Sequence, residues 1–244
     1  MQEAARRSTD QAVADVIAMS GVRFAWPGRQ GFALWIPEFR VERGARLLLT
    51  GPSGSGKTTL LNLLCGIATA NAGKVEVLGT ELGALPSAAR DRFRAEHIGV
   101  IFQMFNLLPY GSVVDNVVLP LSFAPARRRR AANDGPPEAA ATQLLTSLGL
   151  DPKLSTEPAA TLSIGQQQRV AAARALIGAP EIIVADEPTS ALDRDNQERF
   201  LDLLFAQIAT AGATLVMVSH DQSLGHRFDR VIDLGDLIEE GSDK

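Results

Sequence analysis

Apolar residues occur along the chain in short runs, and several of these runs are followed by segments whose apolar residues have helical spacing. Strands are predicted at residues 45–50, 74–79, 98–102, 181–185 and 214–218. Leucines at helical spacing between Leu60 and Leu64 predict a helix after the first run, and a polar helix is predicted near 194–210. The apolar runs at 181–185 and 214–218 are typical of fully buried parallel strands. Strands that alternate with helices predict an α/β domain with a parallel sheet.

Two stretches depart from this alternation. Over residues 16–34 short apolar pieces alternate with Gly, Pro and Arg, which predicts antiparallel strands and turns. Over residues 104–178 helical patterns are separated by Pro and Gly, which predicts a helical block inserted into the α/β core. We expect one domain over residues 15–240, preceded by a tail of residues 1–14. Its approximate parts are a core of 15–102 and 179–240 and a helical subdomain of 103–178.

Composition and charge narrow the class of protein. The chain has 244 residues, 45% of them hydrophobic and 21% charged, which is enough for a core of its own. Its net charge of −4 provides no basic field, so we expect no nucleic-acid partner. Apolar stretches stay below the ~18 residues that a membrane-spanning helix needs. The single cysteine, Cys65, is typical of a reducing compartment, and we expect a soluble cytosolic protein.

A glycine-rich segment lies between the first predicted strand and the leucine-rich helix. Residues 51–58 read Gly-Pro-Ser-Gly-Ser-Gly-Lys-Thr and match the Walker A pattern G-x-x-x-x-G-K-[ST]. Glycines let backbone N–H groups surround phosphate oxygens, and the helix N-terminus faces the same anion. Lys57 supplies positive charge for the β- and γ-phosphates, and the Thr58 hydroxyl can ligate Mg²⁺. The predicted contacts are Gly51, Ser53, Gly54, Ser55, Gly56, Lys57, Thr58 and Thr59.

Two carboxylates follow the apolar run at 181–185. Open α/β sheets place their ligand sites at the carboxyl ends of strands, so Asp186 and Glu187 are candidate site residues. Asp186 is placed to hold Mg²⁺ as a Walker B aspartate, and Glu187 to polarise the water that attacks the γ-phosphate. Neighbouring residues on a strand point to opposite sides, so the strand that places Asp186 does not by itself explain why a second carboxylate follows it.

Residues 162–166, with the sequence Leu-Ser-Ile-Gly-Gln, precede an alanine-rich helix. Alone, a Ser/Gly turn at a helix start is either a second anion site or an ordinary helix cap. Beside the Walker motifs it resembles the LSGGQ signature of the nucleotide-binding subunits of ATP-binding-cassette (ABC) transporters. The resemblance covers residues 15–240. It implies a P-loop NTPase core with a parallel sheet, an antiparallel β subdomain and an inserted α-helical subdomain.

Further segments are similar to motifs of the same family. Gln103 matches the Q-loop, residues 190–193 match the D-loop, and His220 matches the switch histidine. Trp26 resembles the aromatic residue that stacks on adenine. The resemblance implies that ATP and Mg²⁺ are the cofactors. It assigns catalysis to Glu187, His220 and Gln103, Mg²⁺ to Thr58, Gln103 and Asp186, and further ATP contacts to Trp26, Ser163, Gly165, Gln166 and Asp193.

The resemblance also implies partners. Two copies of the chain would pair head to tail around two ATP molecules, joined by an integral membrane permease and, through it, a periplasmic or extracytoplasmic component. The permease would dock near residues 103–120, with apolar contacts from Phe105, Leu107, Leu108 and Tyr110. The expected location is peripheral, at the cytoplasmic face of the inner membrane. The expected activity is ATP hydrolysis coupled to transport.

Residues 96–109 and 114–120 are similar to one branch of the family. That branch contains the lipoprotein-releasing, macrolide-exporting and cell-division ATPases, so export, lipoprotein or lipid extraction, and mechanotransmission are the implied functions. The cargo does not follow from the similarity.

Ile164 stands where the family signature has its first glycine. If only the backbone contacts nucleotide there, Ile can replace Gly where φ is negative. Because of this departure, one alternative function is a regulatory scaffold that binds ATP without useful turnover. A soluble cassette ATPase acting on ribosomes or nucleic acid is a second alternative. Tandem cassettes, a coiled-coil insertion or a basic face would favour it, and the sequence has none of these.

The four consecutive arginines at 127–130 have two interpretations. They form either a solvated helix end or loop, or a contact with anionic headgroups or the permease. His97 and His226 lack Cys or carboxylate partners at metal-ligand spacing in the sequence, so both are predicted to be structural.

Overall fold

The computed structural model describes residues 15–27 and 33–237. The predicted tail and the last predicted domain residues, 238–240, lie outside the described residues. The strands are β1 (Asp15–Ala25), β2 (Ala33–Glu42), β3 (Arg46–Thr50), β4 (Ala72–Val77), β5 (Thr80–Glu81), β6 (Ile98–Ile101), β7 (Ile182–Asp186), β8 (Thr214–Val218) and β9 (Arg230–Asp233). The α-helices are α1 (Lys57–Leu64), α2 (Ser87–His97), α3 (Val113–Val118), α4 (Pro125–Ala131), α5 (Pro137–Ser147), α6 (Ile164–Leu176), α7 (Arg194–Ala211) and α8 (Leu234–Leu237).

An antiparallel sheet with the order β2-β1-β4-β5 confirms the antiparallel prediction for the start of the chain. The strands are longer than the short pieces expected, because β2 continues through Pro37 to Glu42. β2 pairs only with β1 and lies at the sheet edge, where a residue without an N–H group is tolerated.

A parallel sheet with the order β6-β7-β8-β3-β9 forms the centre of the α/β part and confirms the predicted parallel sheet. Sequence periodicity missed β9, whose first two residues, Arg230 and Val231, are exposed at the sheet edge. It also missed α2, which buries none of its residues fully and therefore has no apolar stripe.

Successive residues of the parallel strands face two separate hydrophobic cores. Leu47 and Leu49 of β3 pack with α1 and the antiparallel sheet. Leu48 packs into the other core, with residues of α3, α5, α6 and α7. Because side chains alternate along a strand, α1 and α6 lie on opposite faces of the same sheet.

Helix α6 lies directly against β6. A Cβ atom at Gly99 of β6 would be 2.1 Å from the carbonyl oxygen of Ala175, so only glycine permits this approach. Within the described residues, each helix is too short or too polar to cross a bilayer.

Neither interpretation of the arginine run holds for Arg127 and Arg130. Arg127 is 2% exposed, and its guanidinium donates to the carbonyls of Ala175 and Ile177 at 2.9 Å each. Arg130 Nε donates to the carbonyl of Gly178 at 2.7 Å. The last carbonyls of a helix have no partner within the helix. Arg127 satisfies that of Ala175 in the last turn of α6, and the two arginines together hold the carbonyls of Ile177 and Gly178 just after it.

The other two histidines make contacts of the kind expected of structural residues. His97 Nδ1 lies 3.1 Å from Glu181 Oε2, where β6 and β7 begin. His226 Nδ1 lies 2.7 Å from the carbonyl oxygen of Ser223.

Candidate nucleotide-binding site

The Walker A loop, residues 51–58, joins the end of β3 to the start of α1. Gly51, Gly54 and Gly56 have φ values of 147°, 85° and 100°, which residues with a Cβ atom rarely adopt. Gly56 is the N-cap of α1, so the first N–H groups of the helix face the loop. Ser55 Oγ is buried and has no hydrogen-bond partner within the described residues. A phosphate oxygen in the loop would satisfy that hydroxyl group, so the loop fits a nucleotide.

Lys57 lies over the loop. Its side chain is buried, and Nζ donates to the carbonyls of Gly51 and Pro52 at 2.7 Å each. This places a positive charge at the mouth of the loop, as the Walker A motif predicts.

Thr58, in the first turn of α1, contacts Asp186, the last residue of β7. Thr58 Oγ1 donates to Asp186 Oδ2 at 3.1 Å. Burial raises the pKa of Asp186, and a nearby cation would favour its ionised form. Within the described residues, three or more His, Cys, Asp or Glu side chains nowhere cluster into a metal site. The Thr58 hydroxyl and Asp186 carboxylate oxygens fit Mg²⁺, which takes few protein ligands and completes its shell with phosphate and water.

Glu187 and His220 form a hydrogen-bonded pair beside them. Glu187 has a φ of 47°, and its N–H donates to the carbonyl of Val218 at 3.1 Å. This left-handed backbone turns the second carboxylate across β8, where its Oε2 lies 2.6 Å from His220 Nδ1. The Glu187 side chain is 15% exposed and that of His220 63% exposed. The left-handed backbone at Glu187 thus explains how two consecutive carboxylates can both lie at this end of the sheet.

Trp26 lies at the first turn of α1. Its indole Nε1 donates to Thr59 Oγ1 at 3.2 Å, and its ring meets Phe24 edge to face at 4.9 Å. The half-buried ring therefore lies beside the first turn of α1, and its contact with adenine stays a prediction.

The Gln103 loop, residues 102–106, follows β6. Gln103 is exposed, but Phe105 is buried in the core with α3 and α6, so the prediction that Phe105 offers a docking contact is wrong. Leu107 is partly buried against the same core. Leu108 and Tyr110 are exposed by 38% and 84%.

The signature turn, residues 162–166, begins α6 with a capping box. Ser163 Oγ accepts from the N–H of Gln166 at 3.4 Å, and Gln166 Oε1 accepts from the N–H of Ser163 at 2.9 Å. Ile164 is the first residue of the helix, so its backbone is helical and its φ is negative. Its side chain is 55% exposed. Gly165 faces Leu192, whose Cδ2 would lie 3.7 Å from a Cβ atom there.

Asp193 is the N-cap of α7. Its carboxylate accepts from the N–H of Asn196 at 3.0 Å and from the Asn196 side chain at 2.7 Å. These two hydrogen bonds lower the pKa of Asp193.

The sheet brings one part of the predicted site together and keeps another part away. Walker A, Trp26, Asp186, Glu187 and His220 gather at the carboxyl ends of β3, β7 and β8. The signature turn belongs to α6, which packs on the other sheet face and against β6. β6 is three strand positions from β3, roughly 14 Å at the usual spacing between strands.

Sequence reasoning missed a buried arginine next to this site. Arg174 of α6 is 8% exposed and donates to the carbonyls of Phe105 and Asn106 in the Gln103 loop. The available signal was a single charge among the apolar residues 170–176 of the alanine-rich helix.

Comparison with known families and proteins gives concordant matches. A family model described as ABC transporter matches residues 36–190. The ABC transporter ATP-binding protein YbbA of Escherichia coli is 42% identical over 205 residues, which cover 83% of this chain and 87% of YbbA. The lipoprotein-releasing system ATP-binding protein LolD of Syntrophotalea carbinolica is 39% identical over 199 residues, covering 82% and 85%. The macrolide export ATP-binding/permease protein MacB of Rhodopirellula baltica is 41% identical over 197 residues, covering 80% of this chain but 28% of MacB.

A solved structure has the same fold. The ATP-binding cassette MJ0796, in a dimeric post-hydrolysis state bound to ADP and Pi, aligns with a TM-score of 0.77 at 30% identity. The alignment covers 92% of this chain and 95% of that one.

Proposed function

The chain belongs to the ABC transporter family as an ATP-binding and ATP-hydrolysing subunit, and from that premise we propose that two copies pair head to tail around two Mg-ATP. Each nucleotide lies between the Walker A loop of one copy and the signature turn of the other.

The observation that carries this proposal is the position of α1 and α6 on opposite faces of one sheet. Lys57 begins α1 on one face of the sheet and Ser163 caps α6 on the other face, so we expect each to contact a different nucleotide. A second copy, turned to face the first, supplies the missing signature turn. The dimeric state of the MJ0796 cassette supports this arrangement.

Within each composite site the residues have separate roles. Lys57 binds the β- and γ-phosphates, and Trp26 stacks on the adenine. Thr58, Gln103 and Asp186 hold Mg²⁺, which neutralises phosphate charge when bound. From the other copy, Ser163, Gly165, Gln166 and Asp193 contact the nucleotide.

Glu187 is the general base of this proposal. Its carboxylate orients the attacking water and takes its proton, and His220 holds the carboxylate and the γ-phosphate in register. The 2.6 Å contact between the two side chains supports this pairing.

We propose that a membrane permease docks beside the Gln103 loop. Large apolar side chains are exposed there and shortly after it, and such patches mark interaction sites. They are Phe102, Met104, Leu108, Tyr110 and Phe123, which are 37–84% exposed. Residues 103–178 would move as a helical subdomain against the core of 15–102 and 179–240. The subunit would then lie peripherally on the cytoplasmic face of the cell membrane.

The proposed transport is export, or extraction of a lipoprotein or lipid, or mechanical transmission to an extracytoplasmic component. The chain is nearly as similar to LolD as to MacB, and those names describe different cargoes. The membrane protein that co-purifies with the chain identifies the permease.

Glu187→Gln tests the composite site. The amide keeps the size of the side chain but loses the base, so hydrolysis should fall by ~10²–10⁴-fold. Lys57, Thr58 and Asp186 still bind Mg-ATP. The uncleaved nucleotide then stabilises the dimer by mass action. Size-exclusion chromatography should show a dimer with Mg-ATP and a monomer with Mg-ADP.

Glu181→Gln is the matched control, because Glu181 precedes β7 at the end opposite to Glu187 and its carboxylate contacts the His97 side chain at 3.1 Å. It should retain hydrolysis and form no lasting ATP-dependent dimer. A Glu187→Gln protein that binds ATP yet stays monomeric would contradict the head-to-tail arrangement, and near-normal hydrolysis would contradict the role of Glu187.

A further inference from the structure

One side chain of α6 connects the signature helix to the Gln103 loop. The Arg174 guanidinium donates through Nη1 to the carbonyl of Asn106 at 2.7 Å and through Nη2 to the carbonyl of Phe105. Arg174 is 8% exposed, and burial lowers its pKa. A buried guanidinium needs acceptors of this kind, so the contact is difficult to exchange for water.

The loop that Arg174 holds is a compact turn. Phe105 and Asn106 have φ values of 57° and 50°, in the left-handed region that residues with a Cβ atom adopt at a cost. The N–H of Phe105 donates to the carbonyl of Phe102 at 2.9 Å, and that of Asn106 to the carbonyl of Met104 at 2.6 Å. Because the turn is compact, a displacement of Gln103 should also displace the carbonyls of Phe105 and Asn106 that Arg174 binds.

The other end of the connection is the signature turn. Ser163 caps α6 eleven residues before Arg174, which is roughly 16 Å along a helix. A helix of this length moves as one rigid element, because each of its turns is hydrogen-bonded to the next. Arg174 thus links the Gln103 loop to the residues at the start of α6.

We propose that Arg174 is a positioning residue that couples the two composite ATP sites. In the proposed dimer, on which this inference rests, Gln103 contacts the nucleotide held by its own Lys57. Ser163 of the same chain contacts the nucleotide held by the other copy. Because Arg174 joins the two elements, binding at one site shifts the signature turn that completes the other.

Arg174→Lys tests the coupling. Lysine keeps the positive charge but cannot hold two carbonyls with one planar group. ATP affinity of the monomer should stay within about twofold, since Arg174 lies outside the Walker A loop. The Hill coefficient of ATP hydrolysis should fall towards 1, and kcat should fall by roughly tenfold, as misplaced elements cause.

Arg127→Lys is the matched control. Arg127 is also buried, and its guanidinium also donates to carbonyls at the end of α6 and just after it, at Ala175 and Ile177, and to that of Ala95. This variant should lose thermal stability and keep the wild-type Hill coefficient.

Hydrogen exchange provides a readout without hydrolysis. At chain concentrations where the protein is monomeric, Mg-ATP should change exchange at the amides of residues 163–167 in the wild type and in Arg127→Lys. It should not do so in Arg174→Lys. If Arg174→Lys does not fold, hydrogen exchange in the wild type is sufficient as a test. Exchange at residues 163–167 that Mg-ATP leaves unchanged overturns the inference.

The two proposals fail separately. Wild-type cooperativity in Arg174→Lys, or non-cooperative hydrolysis in a wild type whose Glu187→Gln variant dimerises, overturns the coupling and leaves the composite site intact. A Glu187→Gln variant that does not dimerise with ATP overturns the proposed dimer, and the coupling with it.

Discussion

Lys57 is buried at the end of the Walker A loop, and its ammonium group donates to the carbonyls of Gly51 and Pro52. In Lys57→Ala the loop loses the charge that binds the β- and γ-phosphates. Hydrogen bonds to charged groups contribute ~1.5–3 kcal/mol, so ATP affinity should fall by at least tenfold and turnover should be lost. Calorimetric titration with Mg-ATP measures the affinity.

Lys74→Ala is a suitable control for that substitution. Lys74 is a lysine of β4 whose side chain is 61% exposed and lies 3.7 Å from Glu81. It should bind ATP as the wild type does. Affinity of Lys57→Ala within twofold of the wild type would contradict the assignment of the loop.

At the residue scale, the sequence located the candidate residues whose placement depends on local spacing. The Walker A residues belong to this class, because one strand–loop–helix unit places all of them. The left-handed φ of Glu187 and the carbonyl partners of Arg174 depend on contacts between distant segments. Such contacts leave no periodic signal, so sequence reasoning could not supply them.

At the element scale, burial decided which elements could be predicted. β3, β7 and β8 are almost fully buried and appear as apolar runs. α2 and β9 have exposed or half-buried residues, so their sequences resemble loops. The arginines of α4 read as a surface run, although Arg127 is buried against the end of α6.

Helix α6 offers a test of its one departure from the family signature. Ile164 has helical backbone and an exposed side chain, so glycine can take its place without a new steric conflict. If only the backbone contacts nucleotide, Ile164→Gly should change the ATPase rate by less than tenfold, or ~1.4 kcal/mol in the barrier. Steady-state ATPase assays measure this.

Ile164→Ala separates the two effects of that substitution, because it removes the side chain but keeps a restricted backbone. It should match Ile164→Gly. A rise above tenfold in both variants would show that the isoleucine restrains the partner-facing turn, and would favour the regulatory-scaffold alternative.

At the scale of the whole molecule, the sheet separates the two halves of the proposed composite site. One face of the sheet carries α1 and the Walker A loop, and the other carries α6 and the signature turn. The order of strands is set by long-range pairing, such as β3 with β8, and no local pattern reports it. The sequence therefore predicted both motifs, while their separation required the structure.

This separation predicts complementation between two inactive variants. Lys57→Ala inactivates a Walker A loop, and Ser163→Asp places a negative charge at a signature turn while keeping a residue that caps helices well. A mixed dimer has one site in which both halves are wild type, whereas either homodimer has none. With random pairing, half of the dimers carry one intact site of two, so mixing equal amounts should restore ATPase activity up to about a quarter of the wild-type value, the limit for two independent sites. A mixture no more active than its separate components would show that the two halves do not combine across copies.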